Sequence, residues 1–128
     1  LLGDPDYIST GGCPTGEAAI TQEIDVPRAG HPILHVWYRI YSYDIVPFDY
    51  FAIDIAVCSD GPFERLRTLG CVYWTGTLWD SAWREAEIAL DNYRGQAIKI
   101  KLYNAMTNDD RWYNTWTYVD DVYLEIEP

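Results

Sequence analysis

Three carboxylates stand where alternation along the chain aims a side chain inward. Asp120 shares the parity of Tyr118, Val122 and Leu124, Asp44 follows Ile40 and Ser42, and Asp49 leads into Phe51 and Ile53. A buried carboxylate needs a cation or several hydrogen bonds, because leaving its charge unpaired away from water is costly. Hard oxygen donors converging at strand ends suit Ca2+, which takes about six to eight oxygens. The alternative is local: Asp120 accepts backbone hydrogen bonds, and Asp44 and Asp49 shape the turn between Tyr43 and Tyr50.

The three cysteines, Cys13, Cys58 and Cys71, are widely spaced and form no CxxC pair, so they match no metal motif. Cys58 and Cys71 flank the turn signal Ser59-Asp60-Gly61-Pro62. A disulfide between them would close a short loop and add about 2–4 kcal/mol. Two free thiols are the alternative, expected of a reducing compartment. With the bridge formed, Cys13 is left over, either inert or cross-linked to a neighbouring subunit.

The chain has 11 Tyr, 6 Trp and 3 Phe. One outward stripe reads His35, Trp37, Arg39, Tyr41, Tyr43, rich in the Trp, Tyr and Arg that anchor protein–protein contacts. Its other reading is a face covered by a loop. Trp74, Trp79, Trp112 and Tyr113 fall in or beside expected loops, where flat rings can stack on sugars or insert into a partner. Strand parity puts Trp116 in the core. Catalysis has little to work with. The only histidines are His31 and His35, and neither belongs to a nucleophile elbow, an HExxH helix or a triad signature. No glycine-rich phosphate loop occurs, so the chain reads as a non-enzyme.

Twenty acidic against nine basic residues leave a net charge of −11, which repels phosphate backbones and anionic lipid. No apolar run approaches membrane-helix length. The first residues, Leu1-Leu2-Gly3-Asp4-Pro5, carry neither an initiator Met nor a signal-peptide pattern. The segment therefore reads as a processed secreted chain or a piece of a longer one.

The elements that must position these groups are strands. Period-2 alternation marks 18–26, 33–43, 50–58, 96–104 and 116–126, separated by turn signals such as Pro27 to Pro32, Pro47 and Gly95. The stretch 81–90 fits a short helix or a short strand, and Ile88 and Leu90 favour the strand. Several strands with regular turns and no alternating helices indicate an all-β antiparallel sandwich, one domain over 1–128.

The C-terminal half carries Trp83, Ile88-Ala89-Leu90-Asp91, Tyr93-Arg94-Gly95-Gln96 and Tyr118-Val119-Asp120-Asp121-Val122-Tyr123-Leu124. The N-terminal part carries Pro14-Thr15-Gly16-Glu17-Ala18 and Val26-Pro27. Together these resemble bacterial jelly-roll modules of the cleaved-adhesin and MAM-like type, which are similar in architecture to calcium-containing carbohydrate-binding modules. The resemblance implies a two-sheet jelly roll at the cell surface, Trp83 in the core, and a calcium-binding role for Asp120 alone. Such modules begin with a further strand ahead of the segment matching Leu1 to Pro5. A trimmed fragment, or a strand supplied by another chain, accounts for its absence here. Two functions are expected: an adhesion or assembly module contacting copies of itself or other surface proteins, or a glycan-binding module.

Overall fold

The computed structural model describes residues 1–3, 16–58, 61–73, 76–106 and 114–128. The described strands are β1 (Gly16–Asp25), β2 (His31–Ser42), β3 (Asp49–Val57), β4 (Glu64–Leu69), β5 (Trp79–Asp80), β6 (Arg84–Ala89), β7 (Ala97–Met106) and β8 (Thr115–Glu127). A 3-10 turn at Asp91–Tyr93 joins β6 to β7. No described helix is long and apolar enough to cross a membrane.

The strands form two antiparallel sheets. One runs β1-β7-β3-β4. In the other, β2 is central and pairs with β8 along its whole length. Its opposite edge is shared by β6, over Ile33–Tyr38, and by β5, at Tyr41 and Ser42. The alternating segments read from sequence all form strands, and 81–90 resolves into β6. Residues 64–69 form a strand that hydrophobic alternation does not mark. Its sequence, Glu-Arg-Leu-Arg-Thr-Leu, is charged because β4 is the rim of its sheet, and charged side chains on an edge discourage further pairing.

The two sheets enclose one core. Leu34, Val36 and Ile40 of β2 face Phe51, Ile53 and Ile55 of β3 and Ile98, Ile100 and Leu102 of β7, all nearly inaccessible to water. Burying each such side chain contributes about 1.5–3 kcal/mol. The chain is an all-β sandwich. On β3 the opposite face is buried as well: Ala52 and Ala56 lie at 0% and 1% exposure. Small residues there let the larger neighbours close over the strand. Arg65 lies over the rings of Tyr50 and Tyr103, at 5.0 and 5.2 Å from their centroids, and donates from Nε to Asp54 Oδ1 at 2.5 Å.

Candidate functional site

A bulge decides where Asp120 goes. Trp37 pairs with Asp120 and Val36 with Val122, so Asp121 is an extra residue on β8, with φ of +46°. One inserted residue reverses the faces of everything beyond it. Before the bulge, Thr117 and Val119 point to the core, and Trp116 and Tyr118 point outward. After it, Val122 and Leu124 point to the core. Asp120 is therefore on the outer face, exposed, with Oδ1 accepting from the N–H of Asp121 at 2.8 Å. The inward orientation expected from uniform alternation does not hold.

Asp44 and Asp49 are buried and belong to one polar chain. Thr115 Oγ1 donates to Asp49 Oδ2 at 2.6 Å and lies 2.6 Å from Ser42 Oγ, and the Asp44 amide donates to that same Ser42 oxygen at 3.0 Å. Asp44 Oδ1 in turn accepts from the amide of Ile45 at 2.8 Å. The Asp49 carboxylate and the Asp44 main chain are thus joined through Thr115 and Ser42 at the end of β2, while the Asp44 carboxylate turns to the Ile45 amide. Asp120, level with Trp37, does not join them, and the three-carboxylate calcium cluster is not assembled.

The Cys58–Cys71 bridge is also corrected: both are free thiols, Cys58 exposed and Cys71 buried. Cys58 follows β3 at the tip of the β3–β4 hairpin, whereas Cys71 follows β4 at its far end, where Phe51 pairs with Leu69. The strand length between them is about 20 Å at roughly 3.3 Å per residue, while a disulfide needs Cα atoms about 4.4–6.8 Å apart. Cys71 Sγ donates instead to the Tyr73 carbonyl at 2.9 Å. Cys13, Trp74, Trp112 and Tyr113 lie outside the described residues.

The outward stripe of β2 is covered in part by its own sheet. Arg39 clasps Asp80 through two hydrogen bonds, of 2.9 and 2.6 Å, and this clasp holds the Asp80 carboxyl below its usual range. Arg39 also lies 5.1 Å from the centre of the Tyr41 ring, and Tyr41 stacks on Trp116 at 5.4 Å. Tyr118 meets Tyr41 edge-on. Trp116 is buried as expected, but in this outer aromatic layer rather than between the sheets. Trp83, expected in the core, is 45% exposed and borders the same shallow depression. Trp37 is half-buried. Trp79 packs its ring toward the core rim, with Arg84 5.8 Å from its centroid.

The core itself is open along one side. Ile20 pairs with Leu102, and so lies on the core face of β1, yet it is 51% exposed. Val122 and Ile126 pair with Val36 and Pro32, on the core face of β8, yet they are 42% and 45% exposed. Between these two edges runs a largely apolar groove of about 210 Å³, floored by Leu34, Ile100 and Leu102. On the free edge of β8, Leu2 pairs with Thr117 through bonds of 2.7 and 2.8 Å. Beyond Thr117, no described residue outside β2 pairs with β8.

No protein-family model and no curated protein matches this chain.

One cluster escaped the sequence reading. His35, expected as part of a contact stripe, is only 5% exposed. Its ring stacks on Tyr123 at 4.5 Å, with planes 8° apart. Nδ1 is hydrogen-bonded to Glu85 and lies 3.8 Å from Glu87 Oε1, while Nε2 lies 3.6 Å from Glu125 Oε1. Burial works against a charge on the ring. The hydrogen bond to Glu85 and the carboxylates of Glu85, Glu125 and Glu87 outweigh it and raise the His35 pKa above the usual histidine value. The ligand atoms of His35, Glu85 and Glu87 lie within 4.8 Å of one another. Glu85 and Glu87 sit two apart, a spacing common among twenty acids. Only strand register sets them beside His35.

Proposed function

We propose that this chain is an extracellular, non-catalytic assembly module that accepts a β-strand from another copy in the groove between β1 and β8. The observation that carries this reading is the exposure of core-facing residues, Ile20, Val122 and Ile126, on two edge strands of opposite sheets. In the middle of the sheets the inward residues are sealed, as at Leu34, Val36 and Ile40 of β2, Phe51, Ile53 and Ile55 of β3 and Ile98, Ile100 and Leu102 of β7. A strand laid along β8 beyond Thr117 would pair N–H and C=O groups that no described residue outside β2 pairs, and alternate apolar side chains would fill the groove. Leu2 provides the register for an antiparallel addition. We read the two sheets as a jelly roll, and the resemblance to cleaved-adhesin and MAM-like modules supports both that topology and a surface location.

Light scattering after size-exclusion chromatography tests the reading, over a range of protein and salt concentrations. The wild type is expected to form dimers or longer assemblies, more readily at higher salt, because a net charge of −11 makes copies repel. Ile20→Lys and Val122→Lys are expected to remain monomeric with folded spectra. A wild type that stays monomeric throughout overturns the proposal.

A glycan-binding function is the second reading, favoured by the Tyr41–Trp116 stack, with Tyr118 and Trp83 presenting exposed ring surface beside it. Glycan binding by monomeric protein that is lost in Trp83→Ala would support this reading. The absence of any glycan ligand would remove it.

A further inference from the structure

We propose that His35, Glu85 and Glu87 form a binding site for a divalent first-row transition-metal ion of the Zn2+ type on the outer face of the β6–β2–β8 sheet. The site lies on the face of the sheet away from the core, shares only Tyr123 with the lining of the strand-accepting groove, and does not depend on that reading.

Three observations converge. First, the donors are one imidazole and two carboxylates, a set that suits Zn2+ and its neighbours better than Ca2+, which prefers oxygen alone. Second, cross-strand register builds the site on a sheet rather than on loops. His35 faces Glu87 directly across the β2–β6 pairing, and Glu85 lies one step along the same face of β6. Donors on a tetrahedral ion sit about 3.3 Å apart. The present spread, within 4.8 Å, closes by a rotation of Glu87, whose side chain is 64% exposed and free to swing.

Third, the far side of the ring is already prepared. A metal-bound histidine usually donates its other ring N–H to a carboxylate, which fixes the tautomer and the ring plane. His35 Nε2 is buried without a hydrogen bond, and Glu125 Oε1 stands 3.6 Å away. Tyr123 stacks flat on the imidazole and holds its plane. Metal binding at Nδ1 takes the place of the hydrogen bond to Glu85, releases any Nδ1 proton to solvent, and keeps the proton on Nε2, directed at Glu125. Among the described residues, no Lys or Arg side chain is ion-paired with the carboxylates of Glu85, Glu87 or Glu125, although Arg67 Nη2 donates to the main-chain carbonyl of Glu87 at 3.4 Å. Three carboxylates around one imidazole therefore leave a net negative charge that a dication neutralises. Three protein ligands leave a fourth position for water.

Calorimetric titration of the chelator-treated chain with Zn2+ and, separately, with Ca2+ tests the proposal, and Co2+ absorption reports the ligand type. One saturable Zn2+ site per chain is expected, with no comparable Ca2+ heat and a Co2+ spectrum free of sulfur-to-metal charge transfer. Glu87→Gln, at an exposed position that leaves folding intact, is expected to weaken Zn2+ at least tenfold, and His35→Gln to abolish the site. Glu125→Gln is expected to retain binding with affinity lowered about 10–100-fold. No saturable Zn2+ binding, affinity unchanged in Glu87→Gln, or a Co2+ spectrum dominated by thiolate would each overturn the assignment.

Discussion

Ile20 of β1 and Val122 of β8 line one groove from opposite sheets, each on the core-facing side of its strand and each about half in solvent. A sandwich normally seals this side with further strands or loops, because core-facing residues left in water forgo their burial energy. The contrast with Ile53, at 0% exposure on the central strand β3, is large.

That contrast has an energetic consequence. Ile53→Ala is expected to cost about 2–5 kcal/mol, through lost burial and the cavity left behind. Ile20→Ala is expected to cost less than about 1 kcal/mol in the monomer, since little of its side chain leaves water on folding. Urea unfolding of the two variants at low protein concentration checks this. Equal losses would mean that the β1 edge is sealed in solution.

The bulge on β8 makes a second prediction. Asp121 occupies the left-handed region at φ +46°, which Asp tolerates, Gly adopts freely, and a β-branched residue strongly resists. Asp121→Gly is expected to leave stability unchanged or raise it by up to about 1 kcal/mol, and Asp121→Val to lower it by about 1–2 kcal/mol. Deleting Asp121 is expected to lower Tm further than either substitution. It would drive Asp120 inward or force Val122, Leu124 and Ile126 onto the outer face.

Alkaline pH probes the outer face of the other sheet. Burial, together with the hydrogen bond and charge of Tyr50, pushes the Tyr103 pKa well above its usual value, against the opposing pull of Arg65. The folded pKa is thus higher than the unfolded one, near 10. Stability from the neutral phenol is complete below about pH 10 and is lost as pH rises toward the folded pKa, because the unfolded chain releases this proton first. Tyr103→Phe is expected to flatten the decline in Tm above pH 10. A decline of the same slope in the variant would assign it to other groups.

Much of the architecture was legible in the chain. The alternation at Leu34, Val36, Tyr38 and Ile40, and at Phe51, Ile53 and Ile55, reports a face that must avoid water. That requirement is local, so it survives without knowledge of the neighbours. The edge strand β4 was not legible, because a rim strand needs charge more than alternation.

By itself, then, the sequence determined an all-β chain, the alternating strands of its core, their inward faces away from the bulge of β8, and a strongly acidic balance of charge, since each follows from the period and polarity of consecutive side chains. The tertiary structure alone decided the side to which Asp120 points, because a single unpaired residue reverses a strand and alternation carries no mark of it. It alone set Cys58 and Cys71 at opposite ends of a hairpin, and gathered Glu85 and Glu87 from β6 and Tyr123 and Glu125 from β8 around His35. Such neighbours are 50 or more positions apart in the chain. Which of them meet depends on cross-strand register, and register is a property of the assembled sheet.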